Sequence, residues 1–194
     1  MGKALFIVDV QNDFTEGGAL AVTGGDAVAA GISRFLSGHS GDYDLIIASR
    51  DWHDGTNDNG GHFSETPDFV DSWPVHCVGG TEGAEYDPEL DPAAVTHHVK
   101  KGQGKPAYSL FEGVTDDGET VEQLLDANGI VDVDVAGIAT DYCVRASALD
   151  AISHGRHVRI LTDLVAGVAP ESSESALAEL AHAGAELVSS PEPA

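Results

Sequence analysis

Residues 131–149, VDVDVAGIATDYCVRASAL, decide how the chain folds. The first half, 131–138, alternates β-branched and small residues and reads as a buried strand. From Tyr142 onward, Val144, Ala148 and Ile152 recur at helical spacing. Between the two lies Gly137-Ile138-Ala139-Thr140-Asp141, a tight strand-to-helix turn with Thr140 or Asp141 as the expected N-cap. That reading puts Cys143 in the first helical turn, where unpaired N–H groups and the helix dipole favour a thiolate. A cysteine so placed is a candidate nucleophile, with backbone N–H groups beside it to bind an oxyanion. A lone cysteine at a helix start is more often a packing residue, so the rest of the chain has to decide.

Outward from this stretch the pattern repeats. Residues 3–10, KALFIVDV, form a near-continuous apolar run, as in a strand buried on both faces of a parallel sheet. It ends in Asp9, and Gln11-Asn12-Asp13-Phe14 follow. Asp26 is the expected cap of a helix reaching about Leu36. A second strand, 43–49, delivers Arg50-Asp51-Trp52-His53 at its carboxyl end. From there to about Pro92 Gly, Pro, Asp and aromatics dominate, and a loop that long in a compact domain is usually functional. A strand over 95–100 leads into Lys101-Gly102, and a helix from Glu119 to Asn128 closes at Gly129. A strand over 157–161, a helix over 170–183 and a last strand over 185–188 follow, with a frayed tail at 191–194. Strands alternating with helices predict an α/β fold, an open and mostly parallel sheet with helices on both faces. The expected unit is one domain, 1–194, with no repeat or linker. In such a sheet ligands bind beyond the carboxyl ends of the strands. Asp9, Asp51, Lys101 and Cys143 all fall at or just past four such ends.

Composition narrows the partners. Acidic side chains number 33 against 9 basic, a formal net charge of −24. Such a surface repels nucleic acid and anionic membranes. No run of eighteen apolar residues predicts a membrane span, and MGKALFIVDV lacks the features of a signal peptide. Two cysteines, Cys77 and Cys143, do not make a disulfide framework, which suits a reducing cytoplasm. The lysines stand only at 3, 100, 101 and 105, and the acidic excess suggests a host with high internal salt.

Three groupings carry chemistry. Residues two apart in an extended segment project to one side, so Asp51 and His53 can bind one ion, with His62 and His76 from the same loop completing the set. One carboxylate with two or three imidazoles suits a divalent transition metal, Zn first, Fe or Mn otherwise. The other histidines, at 39, 97, 98, 154, 157 and 182, have no such grouping and are expected in solvent. Asp9 ends a buried strand and is costly there unless paired or used. It could take the thiol proton of Cys143, with Lys101 holding it in place. Phe14, Trp52, Phe63 and Trp73 lie in loops near these residues, and two facing rings would make a slot for a flat aromatic substrate.

Taken together, IVDVQNDF (7–14), DWH (51–53), HFS (62–64), SWPVHCVxGTxGA (72–84), KG (101–102) followed by AYSxFEG (107–113), and GIATDYCV (137–144) resemble the nicotinamidase/pyrazinamidase family. That family is the metal-dependent amidase branch of the isochorismatase-like cysteine hydrolases. The resemblance runs from Lys3 to about Ser190. It implies a six-stranded, Rossmann-like three-layer fold and hydrolysis of nicotinamide to nicotinate and ammonia, a step in NAD salvage. By matching motifs, Cys143 resembles the nucleophile, Asp9 the general base and Lys101 the third member. Asp51, His53, His62 and His76 resemble the metal ligands, Phe14 and Trp73 the walls around the pyridine ring, and Tyr108 another pocket residue. The N–H groups of Ala139 and Cys143 resemble the oxyanion hole, with a cis bond between Ile138 and Ala139. The implied partner is a small aromatic carboxamide; a homo-oligomer stays open. The alternatives are another isochorismatase-like hydrolase acting on a different small amide, and a non-catalytic metal- or ligand-binding protein of this fold.

Overall fold

Strand β1 (Gly2–Val8) occupies the middle of the sheet because all its residues from Ala4 to Val8 are apolar and are shielded completely from solvent. The computed structural model describes residues 2–191, so of the expected frayed tail the residues 192–194 lie outside the described residues. Along the chain follow α1 (Gly25–His39), β2 (Leu45–Asp51), β3 (His97–Lys101), α2 (Val121–Ala127), β4 (Ile130–Ile138), α3 (Arg145–Ser153), β5 (His157–Ala166), α4 (Pro170–Ala183) and β6 (Glu186–Val188). The six strands form one sheet in the order β3-β2-β1-β4-β5-β6, and every pairing is parallel.

Alternation along the strands splits the core into two layers. Ala4, Phe6 and Val8 face one side with Leu45 and Ile47, where Leu125 of α2, Ala148 of α3 and Leu180 of α4 cover them. Leu5, Ile7, Ile46 and Ala48 face the other side, under α1. That helix presents Val28, Ala29, Ile32, Phe35 and Leu36, a one-sided stripe at helical spacing. Among the described residues no helix is long and apolar enough to cross a membrane.

Several boundaries differ from the sequence reading, each for a local reason. Helix α1 runs on to His39, and its cap is not Asp26. The Glu16 carboxylate accepts the N–H groups of Gly24 at 2.6 Å and Asp26 at 2.7 Å from across the loop, a partner that local spacing does not reveal. Strand β2 starts and ends two residues later than expected, and β5 extends to Ala166 because its second half pairs beyond an irregularity in β4. Helix α2 begins at Val121, where Thr120 and Gln123 form a capping box.

After β1 the chain builds the sheet outward through β2 and β3, then returns to the other side of β1 with β4. The reversal opens a crevice at the carboxyl ends of β1 and β4. Gly137 is needed there. Its φ is 118°, and a Cβ would stand 2.2 Å from the Val8 carbonyl oxygen, so no other residue lets β4 lie this close to β1.

Candidate active site

Four strands deliver charged or nucleophilic groups into the crevice. Asp9 follows β1 with φ at 48°, a left-handed turn that swings its fully buried carboxylate toward the centre. Ser49 Oγ donates to Asp9 Oδ1 at 2.7 Å. The last residues of β2 and β3, Asp51 and Lys101, are register partners. Lys101 is 1% exposed, with Nζ bonded to Asp51 Oδ1, 2.8 Å from Asp9 Oδ2 and 3.7 Å from Cys143 Sγ. Lys105, four residues on, is exposed and outside the group.

Electrostatics follow from this packing. Burial opposes the Lys101 charge, but Asp51, Asp9 and the Cys143 sulfur outweigh it, so the ammonium is held well above the ordinary lysine range. Burial likewise opposes charge on Asp51, yet Lys101 and the nearby histidines keep its carboxyl well below the usual range. Asp9 goes the other way: burial, with Asp51 adding to it, lifts its carboxyl despite Lys101. Among the described residues no donor meets its Oδ2 in hydrogen-bonding geometry, although the Lys101 ammonium stands 2.8 Å away, close to the Cys143 sulfur as well. Asp9 is therefore poised to accept a proton.

The turn that carries Cys143 differs from the expected helix start. Residues Thr140–Val144 form a π-helical turn ahead of α3, with Ala139 as N-cap and no side-chain cap. Val144 N–H reaches the Ala139 carbonyl at 3.1 Å, and the Ile138–Ala139 bond is cis. Neither Thr140 nor Asp141 caps this helix. Asp141 is spent on the next one, accepting Val168 N at 2.9 Å, Ala169 N at 3.2 Å and Ser172 Oγ at 2.5 Å, which anchors the turn to the start of α4. Burial, partly offset by Lys101, pushes the Cys143 thiol well above the ordinary range. The standing thiolate expected from a helix dipole is thus replaced by a thiol whose proton has an acceptor beside it.

The irregular loop after β2 is ordered by short backbone ladders. His53 N donates to the Cys77 carbonyl at 2.9 Å, and Trp73 N to the His62 carbonyl at 2.8 Å. These bonds bring His53, His62 and His76 together, with their ligand-capable atoms all within 4.8 Å of one another. Asp51 Oδ2 lies 3.5 Å from His53 Nε2 and 3.8 Å from His76 Nε2. A tetrahedral metal with bonds of about 2.1 Å sets neighbouring donors about 3.4 Å apart, so the three histidines can share one ion, with Asp51 Oδ2 beside two of them.

Their outer partners support the same conclusion. His53 Nδ1 donates to the Gly102 carbonyl and His76 Nδ1 to that of Pro74, both at 2.7 Å, which turns each Nε2 lone pair inward. Among the described residues, buried His53 Nε2 and His62 Nδ1 find no hydrogen-bond partner. Burial, with His53 and His76 adjacent, pushes His62 down to about 4, so it stays a neutral donor at physiological pH. Gly102 has φ at 76°, and a Cβ there would stand 2.5 Å from His53 Cε1. Gly102→Ala is expected to weaken metal binding by about 10–100-fold, checked by competition with a chromogenic chelator; unchanged affinity would show that the His53 ring is not held by this contact.

Next to both groups opens a cavity of about 350 Å³ with mostly apolar walls. Cys143, Asp51, His62 and His76 reach it, and Phe14, Trp73, Tyr108 and Ala139 line it. Trp73 Nε1 donates to the Tyr108 hydroxyl at 3.1 Å, and Tyr142 meets Trp73 edge-on at 5.1 Å. Phe14, Trp73, Tyr108 and Ala139 thus lie in one region with Cys143 and the metal-ligating candidates Asp51, His62 and His76. Trp52 does not: it stacks between Arg50 and Lys100. Phe63 packs behind the histidines, 5.1 Å from His53. Cys77 is buried against the Gly83 carbonyl. Of the remaining histidines, His39 is half-buried and stacks on Phe35 rather than standing in solvent. Sequence reading gave no role to Gln11, whose amide bonds both backbone groups of Asp51 and the Ala84 carbonyl. Asp13, whose carboxylate holds the Cys77 N–H at 2.7 Å, was missed too. Both sit in the stretch after β1, where a buried glutamine is the only local signal.

Fold and site together define an open parallel α/β protein with a buried Cys-Asp-Lys centre beside a histidine cluster, and comparison with known proteins makes the family explicit. Residues 3–192 match the isochorismatase domain. The chain belongs to the isochorismatase family. It is 50% identical over 188 residues to the nicotinamidase/pyrazinamidase of Mycobacterium tuberculosis, covering 97% of this chain and 99% of that protein. The crystal structure of Pyrococcus horikoshii pyrazinamidase in complex with zinc superposes with a TM-score of 0.83 at 40% identity, covering 97% and 99% of the two chains. The L. infantum protein PnC1 in complex with nicotinate gives 0.84 at 34%, covering 97% and 93%. The resemblance drawn from the motifs is borne out.

Proposed function

We propose that the protein is a metal-dependent cysteine amidohydrolase that converts nicotinamide, and pyrazinamide as a second substrate, to the acid and ammonia. The observation that carries this reading is Lys101 lying between Asp9 and Cys143, with Cys143 lining an apolar cavity that His62 and His76 also border. The carboxamide enters with its ring between Phe14 and Trp73. Asp9 takes the thiol proton, and the sulfur attacks the carboxamide carbon. The N–H groups of Ala139 and Cys143 hold the oxyanion. Asp9 returns its proton to the departing ammonia, leaving a thioester on Cys143. It then deprotonates a water that attacks the thioester carbon, releasing the acid and restoring the thiol. Lys101 keeps the two carboxylates compatible with one another and with the sulfur throughout. Asp51, His53, His62 and His76 would hold a divalent metal, zinc in preference to iron or manganese, which supplies a Lewis-acid anchor for the ring nitrogen.

The rival readings fit less well. A hydrolase of the same fold without a metal does not need three clustered histidines, two of them with carbonyl-fixed tautomers. A binding protein does not need Cys143, Asp9 and Lys101 in contact. The reading is tested by ammonia release from nicotinamide with and without chelator. Turnover that falls at least tenfold on chelation and returns with zinc supports it, and folded, metal-loaded protein that releases no ammonia ends it.

The same proposal places the chain, as one catalytic unit, in the cytoplasm in NAD salvage, acting on a small molecule without nucleic acid or membrane partners. The net charge of −24 supports a high-salt setting. Salt shortens the range of repulsion from about 10 Å at 0.1 M to about 3 Å at 1 M. Tm by calorimetry is expected to rise across that range, and a Tm that falls would exclude the high-salt reading.

A further inference from the structure

A single-ring carboxamide fills only part of the cavity. At about 350 Å³ the space falls within the range of about 300–1,000 Å³ that takes drug-sized ligands. Two residues that line it, Phe69 and Val168, are 55% and 53% exposed, which puts them at its mouth. Phe69 is held there by design of the turn rather than by loop freedom. Its φ is 58°, a left-handed conformation unfavourable for a bulky side chain. Asp68 Oδ1 fixes the turn, accepting the N–H groups of Val70 and Asp71 at 3.0 Å and of Ser72 at 2.9 Å. The Phe69 ring meets Trp73 edge-on, with centroids 6.1 Å apart at 85°, and the Phe69 carbonyl accepts a 3.5 Å bond from the Tyr142 hydroxyl. An exposed aromatic is thereby tied to the wall of the ring slot and to the residue before Cys143.

We propose that Phe69 and Val168 form an apolar subsite for a substituent on the amide ring, so that the substrates include pyridine carboxamides bearing a short alkyl chain. The proposal rests on the amidase reading. With the carboxamide carbon at Cys143 and the ring nitrogen toward the histidines, C5 is the ring carbon adjacent to neither attachment. A group on C5 is the one that points toward the mouth.

The test compares nicotinamide with 5-propylnicotinamide on the metal-loaded protein and on its Phe69→Ala and Phe69→Leu variants. It uses steady-state kinetics, and calorimetric binding to the same three proteins carrying Cys143→Ala. Partial burial of three alkyl carbons is expected to give the propyl amide about tenfold tighter binding and a correspondingly lower KM. Phe69→Ala should erase most of that preference, and Phe69→Leu should restore it. A propyl amide that binds no tighter than nicotinamide overturns the subsite, as does a Phe69→Ala variant that weakens both amides by the same factor. Calorimetry reads the preference without turnover, so a subsite that binds in a protein that hydrolyses neither amide would overturn the amidase reading and leave the subsite standing.

Discussion

Cys143→Ala is expected to lower kcat for nicotinamide by about 10⁴-fold or more, the scale seen when a nucleophile is removed from a group that acts as a unit. The loss should fall on chemistry and not on folding. Cys143 is 7% exposed at the cavity floor, at the edge of one core layer, with its sulfur 3.7 Å from Lys101 Nζ. Removing one sulfur there exchanges a buried polar contact for a small void, so stability should shift by about 1 kcal/mol or less. The variant should still bind nicotinamide, because the ring contacts and the histidines are untouched. Rapid-quench mass spectrometry of the native protein should show acylation on Cys143, and the variant should show none. Residual turnover within tenfold of native would remove Cys143 from the role of nucleophile.

The second large effect concerns the charge that holds the centre together. Lys101→Met leaves the Asp9 and Asp51 carboxylates buried side by side without a cation. Breaking a buried ion pair from one side costs about 3–5 kcal/mol, because the remaining charge has nothing to compensate it. Asp9→Asn should behave differently. Burial already makes the Asp9 charge unfavourable, and Lys101 would keep Asp51 as its partner. That change should cost clearly less than Lys101→Met, since no buried charge is left unpaired, while still removing the proton acceptor and nearly all turnover. Urea denaturation of both variants gives the ranking directly. Equal stability losses would mean that Lys101 does not serve as the shared counter-charge. Adding zinc before unfolding separates the two terms, since a metal bound only by the folded state raises apparent stability.

Much of the centre was legible before any coordinates. A parallel strand buried on both faces must be apolar through its length, so the first polar residue marks its carboxyl end. That rule picked out Asp9, while Asp51 and Lys101 stood near predicted strand ends and took their roles from the motif resemblance. The structure places Asp51 and Lys101 as the last residues of β2 and β3, and Asp9 just past β1. Sheet order was not legible in the same way. Nothing local to β4 says that it returns to pair with β1, yet that pairing creates the crevice. Cap assignments failed for a related reason. Asp26 and Asp141 are sound caps by local chemistry, but Glu16 reached Gly24 from eight residues away and Asp141 was drawn to Val168 from 27 residues away.

The sequence by itself determined the strand and helix alternation, the acidic surface, and which side chains could carry catalysis or bind an ion. Those properties depend on residue type and on spacings of a few positions, where steric periodicity and burial leave few choices. Only the tertiary structure decided the protonation of Cys143, the tautomers of His53 and His76, and the place of Phe69 at the cavity mouth. Each depends on what the rest of the chain brings within about 4 Å, where desolvation, a neighbouring ammonium or a backbone carbonyl sets the balance.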